Sequence, residues 1–454
     1  MKVLLLNPPG AQPFIRDYYC SKVSKSNYLF QPIDLVMQSG ILAGRHQITV
    51  CDAIADKLTA EETLERVRCC APDAIVSLAG SVCLYDDLDF LERAARHGGT
   101  LLVSGDAFLE EPSCWLENYP FLDGILLDFT SDDILSFLDG NRRGAASIVS
   151  RDSDTAYQRP RGQEFSIPVP RHELFTSPNY RFPFVRQREF ATVLSDFGCP
   201  YRCSFCIMAS LGYRYRPAAN MLEELRYLKG LGMRELFFID QSYGVRRDKA
   251  LELCEAMARE QLGFGWVCYS RVDLIDRELL EAMKRAGCHT IIFGVESASS
   301  LILEQYQKGY TQEDILKTFR LCRSCGIRTV ATFIIGLPEE TRQTALETIN
   351  FLKKIDCDFA SFNIAVPRAG TELRQNAIRD GLVSEQVTVM DQSGTSIAMD
   401  THHLSSAEIG QLKQRALRAF YLRPSYLLRR LAGIRSWYEL TEQLREGFHL
   451  LWNH

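Results

Sequence analysis

Apolar and amphipathic stretches alternate twice along the chain, with a patternless span between the two series. In the first 140 residues the runs KVLLLNPP, QITVCDA, DAIVSLAG, TLLVSGDAF and DGILLDF are short, almost continuously apolar and bounded by turn residues. That is how strands buried on both faces read. Between them PIDLVMQSGILAGR, TAEETLERVRCC, YDDLDFLERAARHG and SDDILSFLDG carry helical spacing. Regular alternation of this kind predicts an α/β unit, a parallel, doubly wound (Rossmann-like) sheet. Its strands end in Asn7, Asp52, Gly80, Gly105 and Asp106, at the edge where open α/β sheets bind ligands.

Residues 141–188 are rich in Pro, Arg and Ser and hold no sustained period, so they read as a linker. From 189 to 400 the alternation resumes. The strands EFATVLSDF, ELFFIDQ, GWVCYSR, HTIIFGVES, RTVATFIIGLP and FASFNIAVP are interleaved with helices such as NMLEELRYLKGLG and TQEDILKTFRLCRSCG. Six strand–helix units predict a partial β/α (TIM-type) barrel, two units short of closure. Asp240, Arg271, Glu296 and Ser297 stand at its C-terminal strand ends. Residues 401–454 turn helical, ending in LRAFYLRPSYLLRRL and WYELTEQLREGFHLLW.

Composition changes the picture little. The chain has 454 residues, too many for one ordinary core. A formal charge of -5 argues against a general nucleic-acid binder. The first apolar run is stopped by Pro8 and Pro9, which suits a first strand better than a leader, and no run is long enough to span a bilayer. A cytoplasmic location is expected. The 15 cysteines are scattered and odd in number, which points to reduced thiols and a metal site instead of a disulfide framework.

Three of them are not scattered. In DFGCPYRCSFCIMAS, Cys199, Cys203 and Cys206 lie on a loop leaving the first barrel strand, and no nearby Cys or His completes a set of four. A structural zinc site wants four ligands. Thiolates also favour iron–sulfur clusters, and a [4Fe–4S] cluster held by three cysteines keeps one iron open for chemistry.

This Cys-x3-Cys-x2-Cys loop at the top of a barrel strand, with Phe205 before the last cysteine, resembles the radical S-adenosylmethionine (SAM) enzymes. The resemblance implies that Cys199, Cys203 and Cys206 hold a [4Fe–4S] cluster whose open iron chelates SAM, with Phe205 packed near it. FIDQS takes the place of a Gly-Gly-Glu-like segment in that family, which gives Asp240 to the SAM amine. YSRVD puts Arg271 toward the SAM carboxylate. FGVESAS and FIIGLPEET match further family segments, with Glu296 and Ser297 toward ribose or amine, and Gly336 and Pro338 where the backbone nears adenine.

The first alternation resembles the leading domain of the cobalamin-binding branch of that family, which includes methylases and the anaerobic magnesium-protoporphyrin ester cyclase. Asn7, Ser77, Gly80, Ser81, Gly105 and Asp106 would then meet the cobalamin. After the second strand the chain reads DAIADK, with Asp52 present but Ile54 where some corrinoid proteins place a histidine, so no His–cobalt bond is expected. No Gly-x-Gly-x-x-Gly follows these strands, which argues against a dinucleotide.

The resemblance implies methylation of an unactivated carbon through methylcobalamin and a 5′-deoxyadenosyl radical, on a small-molecule substrate, with flavodoxin or ferredoxin as electron donor. A non-methylating cyclase or rearrangement enzyme acting on a bulky apolar or tetrapyrrole-like substrate is the alternative. A corrinoid- or SAM-binding module without turnover is a third reading, of another class. Among weaker features, the Cys322/Cys325 pair, Cys69–Cys70 and Cys254 read as packed helix positions, and His402–His403 as an exposed loop. His172 is free to face the site. The basic, amphipathic QRALRAFYLRPSYLLRRLAG either caps the barrel or touches a membrane surface.

Overall fold

A computed structural model describes residues 1–18, 21–22, 28–153, 157–387, 390–391, 397–424, 426–428 and 441. The first five apolar runs become β1 (Lys2–Asn7), β2 (Gln47–Asp52), β3 (Ala74–Leu78), β4 (Thr100–Ser104) and β5 (Gly124–Leu126). They pair in parallel in the order β2-β1-β3-β4-β5, and an antiparallel strand, β6 (Ile148–Val149), closes the far edge. Strand order reverses between β1 and β3, which makes that crevice the switch point. On the other side of β1, register sets Asn7 beside Asp52 of β2.

The helix Ile33–Ala43 is buried at every position from Ile33 to Leu42. A helix buried all round needs cover on every side. It lies on one sheet face and is covered by the chain that follows, where a Cβ on Gly40 would sit 2.4 Å from the Pro168 carbonyl oxygen. One hydrophobic cluster therefore runs from Val3 and Leu5 of β1 through Val36, Phe165 and Phe182 to Phe237, Val267, Ile292 and Val330.

The latter four belong to the second sheet, or adjoin it from inside. Its strands are β7 (Phe190–Val193), β8 (Glu235–Phe238), β9 (Gly265–Ser270), β10 (Cys288–Glu296), β11 (Arg328–Ile335) and β12 (Phe359–Ile364). They are parallel and adjacent in sequence order, which is the six-stranded partial barrel expected. Helices cover its outside. There Trp266 is fully buried and donates from Nε1 to the Ala286 carbonyl at 2.9 Å.

Residues 141–188 differ from the expected linker. They contribute β6 and the strand Arg161–Glu164, which pairs with Tyr213–Tyr215, and they bury Phe165, Ile167, Phe175, Tyr180 and Phe182. Strands of two to four residues are too short to show a period. The short helices Ser300–Gln305 and Glu372–Arg379 escaped the sequence reading for the same reason. At the far end, Ser405 and Glu408 form a capping box for the helix Ser406–Tyr421, whose Ile409, Leu412 and Phe420 join the barrel's outer core. The expected helix WYELTEQLREGFHLLW lies outside the described residues, apart from residue 441.

Candidate functional site

Beyond β7 the chain turns into Asp196–Gly198, which pairs antiparallel with Tyr213–Tyr215. Gly198 has φ +71°, and a Cβ there would lie 2.1 Å from the Gly212 carbonyl oxygen, so only glycine fits. The Cys199 amide donates to that same oxygen at 2.9 Å, and the Cys206 amide to the Cys203 carbonyl at 2.9 Å. The loop is thus pinned at its base and folded on itself, and all three thiols line one cavity of about 320 Å³. Burial raises the Cys199 thiol pKa. Burial, helped by the two neighbouring thiols, pushes Cys206 up to about 12. Loading a metal here must displace protons.

Among the described residues no three Cys, His, Asp or Glu groups converge on a single ion. Three thiols facing one cavity suit a cluster that offers each its own iron. Fold and thiol loop together define an iron–sulfur enzyme built on a β/α barrel.

Around the thiols, Phe205, Arg271 and Glu296 line the cavity. Glu296 adopts φ +61° and receives a hydrogen bond from Lys308 Nζ at 3.1 Å. Lys308 is buried in the cavity wall, 5.5 Å from the Phe205 ring centroid. Sequence reading missed it because it sits in YQKGYT, a turn without period. Gln241, Ser242, Thr332, Ser361 and Asn363 add polar groups to the wall, also unforeseen. Tyr28, Phe30, Phe182, Phe184 and Tyr269 supply an aromatic side.

Other expected contacts fall elsewhere. Asp240 is fully buried and accepts from the Ser195 amide (2.6 Å), the Ser195 hydroxyl (2.5 Å) and the Asp196 amide (2.9 Å). It holds the base of the cysteine loop and is not presented to a ligand's amine; burial raises its pKa to about 6. Ser297 is buried against Thr348, 3.1 Å between hydroxyls. Gly336 has φ +88° and turns its missing Cβ toward Ile409, while the Pro338 carbonyl accepts from the His402 amide at 2.9 Å. Of FIIGLPEET, Ile334 and Leu337 line the cavity, and Gly336 and Pro338 do not. His172 does not face the site: Nε2 lies 2.8 Å from Glu224 Oε1, and Arg216 donates to the other oxygen at 2.7 Å. Cys69 is exposed, not packed, whereas Cys254 and Cys322 are buried.

At the first sheet the expected corrin contacts are occupied by the protein itself. Arg16 donates to Asp87 (2.8 and 2.7 Å), to Asn7 Oδ1 (3.0 Å) and to the carbonyls of Pro8 and Pro9 (both 2.9 Å). All five guanidinium N–H groups are used. The Gly80 amide also donates to Asp87, at 3.1 Å. Arg16 thereby fills the switch-point crevice. Ser77 donates to the Leu6 carbonyl at 3.1 Å, and Gly105 is pressed so close to Ala79 that a Cβ would lie 1.8 Å from its carbonyl oxygen. Ser81 donates to Asp106 at 2.5 Å, and Asp106 also receives Arg368, from beyond β12, at 2.8 Å.

One face nearby is not saturated. On the helix Ile33–Ala43, Asp34 Oδ1 and Gln38 Oε1 are buried acceptors with no hydrogen-bond partner among the described residues. Asp34 Oδ2 accepts from Ser104 at 3.1 Å, and burial, with Asp17 nearby, lifts the Asp34 pKa to about 8. Tyr18 lies at this face and also lines the cavity.

Residues 196–352 match the model of the radical SAM superfamily. An uncharacterized methyltransferase of Pyrococcus horikoshii is 28% identical over 446 residues, covering 94% of each chain. The anaerobic magnesium-protoporphyrin IX monomethyl ester cyclase of Cereibacter sphaeroides is 32% identical over 387 residues, 77% of this chain and 60% of that one. The solved radical SAM methyltransferase TsrM of Kitasatospora setae, with cobalamin and a [4Fe–4S] cluster bound, superposes with TM-score 0.70 at 16% identity, over 99% of this chain and 98% of that one. The cobalamin-dependent radical SAM enzyme OxsB gives 0.66 at 15% identity, over 99% and 72%. Residues 196–352 are a radical SAM domain, and the chain is an enzyme whose domain implies a [4Fe–4S] cluster and SAM. Its fold is that of the cobalamin-dependent members.

Proposed function

We propose that the chain methylates an unactivated carbon of a bulky, largely apolar small molecule, with cobalamin as methyl carrier. The observation that carries this reading is the shared cavity. The three thiols of the barrel loop line the same space as Ile15, Tyr18, Tyr28 and Phe30, which follow β1 of the first sheet. When bound, the cluster and SAM supply a 5′-deoxyadenosyl radical by one-electron cleavage, and the corrinoid supplies the methyl group.

The protein's own residues hold, orient and exclude. Cys199, Cys203 and Cys206 would hold the cluster. Glu296 and Lys308, with Gln241 and Ser242, offer the charged and hydrogen-bonding partners that the amino-acid and ribose parts of SAM need. Asp34 Oδ1 and Gln38 Oε1 leave buried polar atoms for the amide groups of a corrin periphery, a better fit than the saturated strand-end residues. The aromatic side excludes water and favours an apolar substrate.

Protein reconstituted anaerobically with iron, sulfide and hydroxocobalamin tests this. Retention of a four-iron cluster and one corrinoid is expected. With SAM and dithionite it should release both 5′-deoxyadenosine and S-adenosylhomocysteine. Failure to hold the corrinoid, or 5′-deoxyadenosine alone, refutes methylation.

A second reading, oxidative ring closure, is favoured by the 32% identity with the cyclase. It predicts a product that has lost hydrogens, where methylation adds one methylene unit. Either chemistry draws electrons from a low-potential donor of the flavodoxin or ferredoxin kind. Exposed Leu422, Leu427 and Leu428, in the basic stretch after the last described helix, support peripheral membrane contact there. Among the described residues no helix is long and apolar enough to cross a membrane.

A further inference from the structure

The side chain of Arg271 is oriented toward a cysteine thiol and is largely committed before any ligand arrives. Nε donates to Asp273 Oδ1 at 3.0 Å, and Nη2 donates to Asp273 Oδ2 at 3.0 Å and to the Lys308 carbonyl at 2.5 Å. Nη1 donates to Cys203 Sγ at 3.7 Å. Four of the five N–H groups are therefore engaged. The guanidinium carbon also lies 3.7 Å from the Tyr201 ring centroid, which fixes the plane of the fork. Arg271 and Cys203 are 5% and 8% exposed. A bidentate clamp on a SAM carboxylate would need two parallel N–H groups, and here at most one Nη1–H remains.

We infer that Arg271 is a positioning residue for the cluster, through Cys203, and not the carboxylate clamp for SAM. An N–H donor to a ligating sulfur withdraws electron density and stabilises the more negative, reduced cluster, so it raises the reduction potential. Lys308, the neighbouring cation, is paired with Glu296, which leaves Arg271 as the side-chain donor aimed at the Cys203 sulfur. Asp273 fixes the fork, and Tyr201 stacks on it, so that the Nη1–H points at Cys203.

The inference rests on the cluster reading, and the test separates the two. Wild type, Arg271→Gln and Arg271→Lys are reconstituted anaerobically and their iron and sulfide counted. The one-electron couple is then titrated with dithionite under electron paramagnetic resonance, and SAM affinity is measured on the oxidised cluster. Wild type that assembles no four-iron cluster refutes the cluster reading itself. With clusters intact, the Gln variant should show a more negative midpoint, the Lys variant a smaller shift in the same direction, and both a SAM Kd within about threefold of wild type. A midpoint that does not move, or SAM binding weakened tenfold or more, overturns the inference. Should both variants load poorly, Asp273→Asn decides: it keeps the cation but loosens the fork, so a small negative shift is expected and an unmoved midpoint overturns the inference.

Discussion

Removing Arg16 is predicted to open the first sheet from the strand-end edge. Its side chain is 0% exposed and that of Asp87 1%. Arg16→Ala would strand a carboxylate that keeps only the Gly80 amide and the Cys83 thiol as partners, and would leave the Pro8 and Pro9 carbonyls and Asn7 Oδ1 without their donor. Breaking a buried pair from one side costs about 3–5 kcal/mol. Through the relation of about 1.4 kcal/mol per factor of ten, this is roughly two to three and a half powers of ten in local opening. Hydrogen exchange followed by mass spectrometry on peptides covering β1 and β3 reads that opening directly. Arg16→Met combined with Asp87→Leu removes both charges and keeps the volume, so it should return protection to within about tenfold of wild type. A single variant that changes protection less than tenfold would show that the guanidinium does not seal the crevice. A double variant as open as the single one would refute the electrostatic reasoning.

Gly198→Ala forces an L side chain into φ +71° and against the Gly212 carbonyl. The left-handed conformation alone costs about 1–2 kcal/mol, and iron and sulfide content after reconstitution should fall while far-ultraviolet circular dichroism stays unchanged. Asp240→Asn turns an acceptor of three hydrogen bonds into a mixed group and should also lower cluster content. If Asp240 instead served SAM, affinity would drop with the cluster intact, and a binding measurement on loaded protein tells the two apart. Glu340 is buried, which raises its pKa to about 7. Between its unfolded value near 4.5 and that figure the native state holds the extra proton, so stability falls as pH rises across that window, by at most about 3 kcal/mol. Glu340→Gln keeps an acceptor for the Gly336 amide and should flatten this part of the stability profile in urea titrations at several pH values.

The barrel was legible in the sequence because its strands are four to nine residues long and each is flanked by an amphipathic helix. The cysteine loop was legible because its chemistry is local in sequence. Arg271 and Glu296 were placed at the right strand ends, but their partners were not visible. Lys308 meets Glu296 only through the turn after the helix Ser300–Gln305, and Asp273, two residues beyond Arg271, reaches its guanidinium through the short turn Val272–Leu274; no period marks a turn. Asp240 was misassigned for a related reason. A carboxylate at a strand end reads the same whether it faces a ligand or caps two amides of a neighbouring strand. The saturation of Asn7, Gly80 and Ser81 is likewise tertiary, since Arg16, Asp87 and Asp106 reach them from separate elements. Residues 141–188 looked featureless because their strands are short, and burial of Phe165 and Phe182 follows from what they cover, not from their own spacing.

The hydrophobic cluster that runs from β1 through Phe165 and Phe182 into the barrel makes the two halves unsuited to exchange as cassettes. A cut between residue 141 and Pro168 would leave the buried helix Ile33–Ala43 without its cover on one fragment, and a cut beyond Phe182 would take from the barrel fragment the ring stacked on Phe237. Recombination between relatives should therefore succeed only when the leading sheet, the crossing segment and the barrel floor travel as a single inheritance.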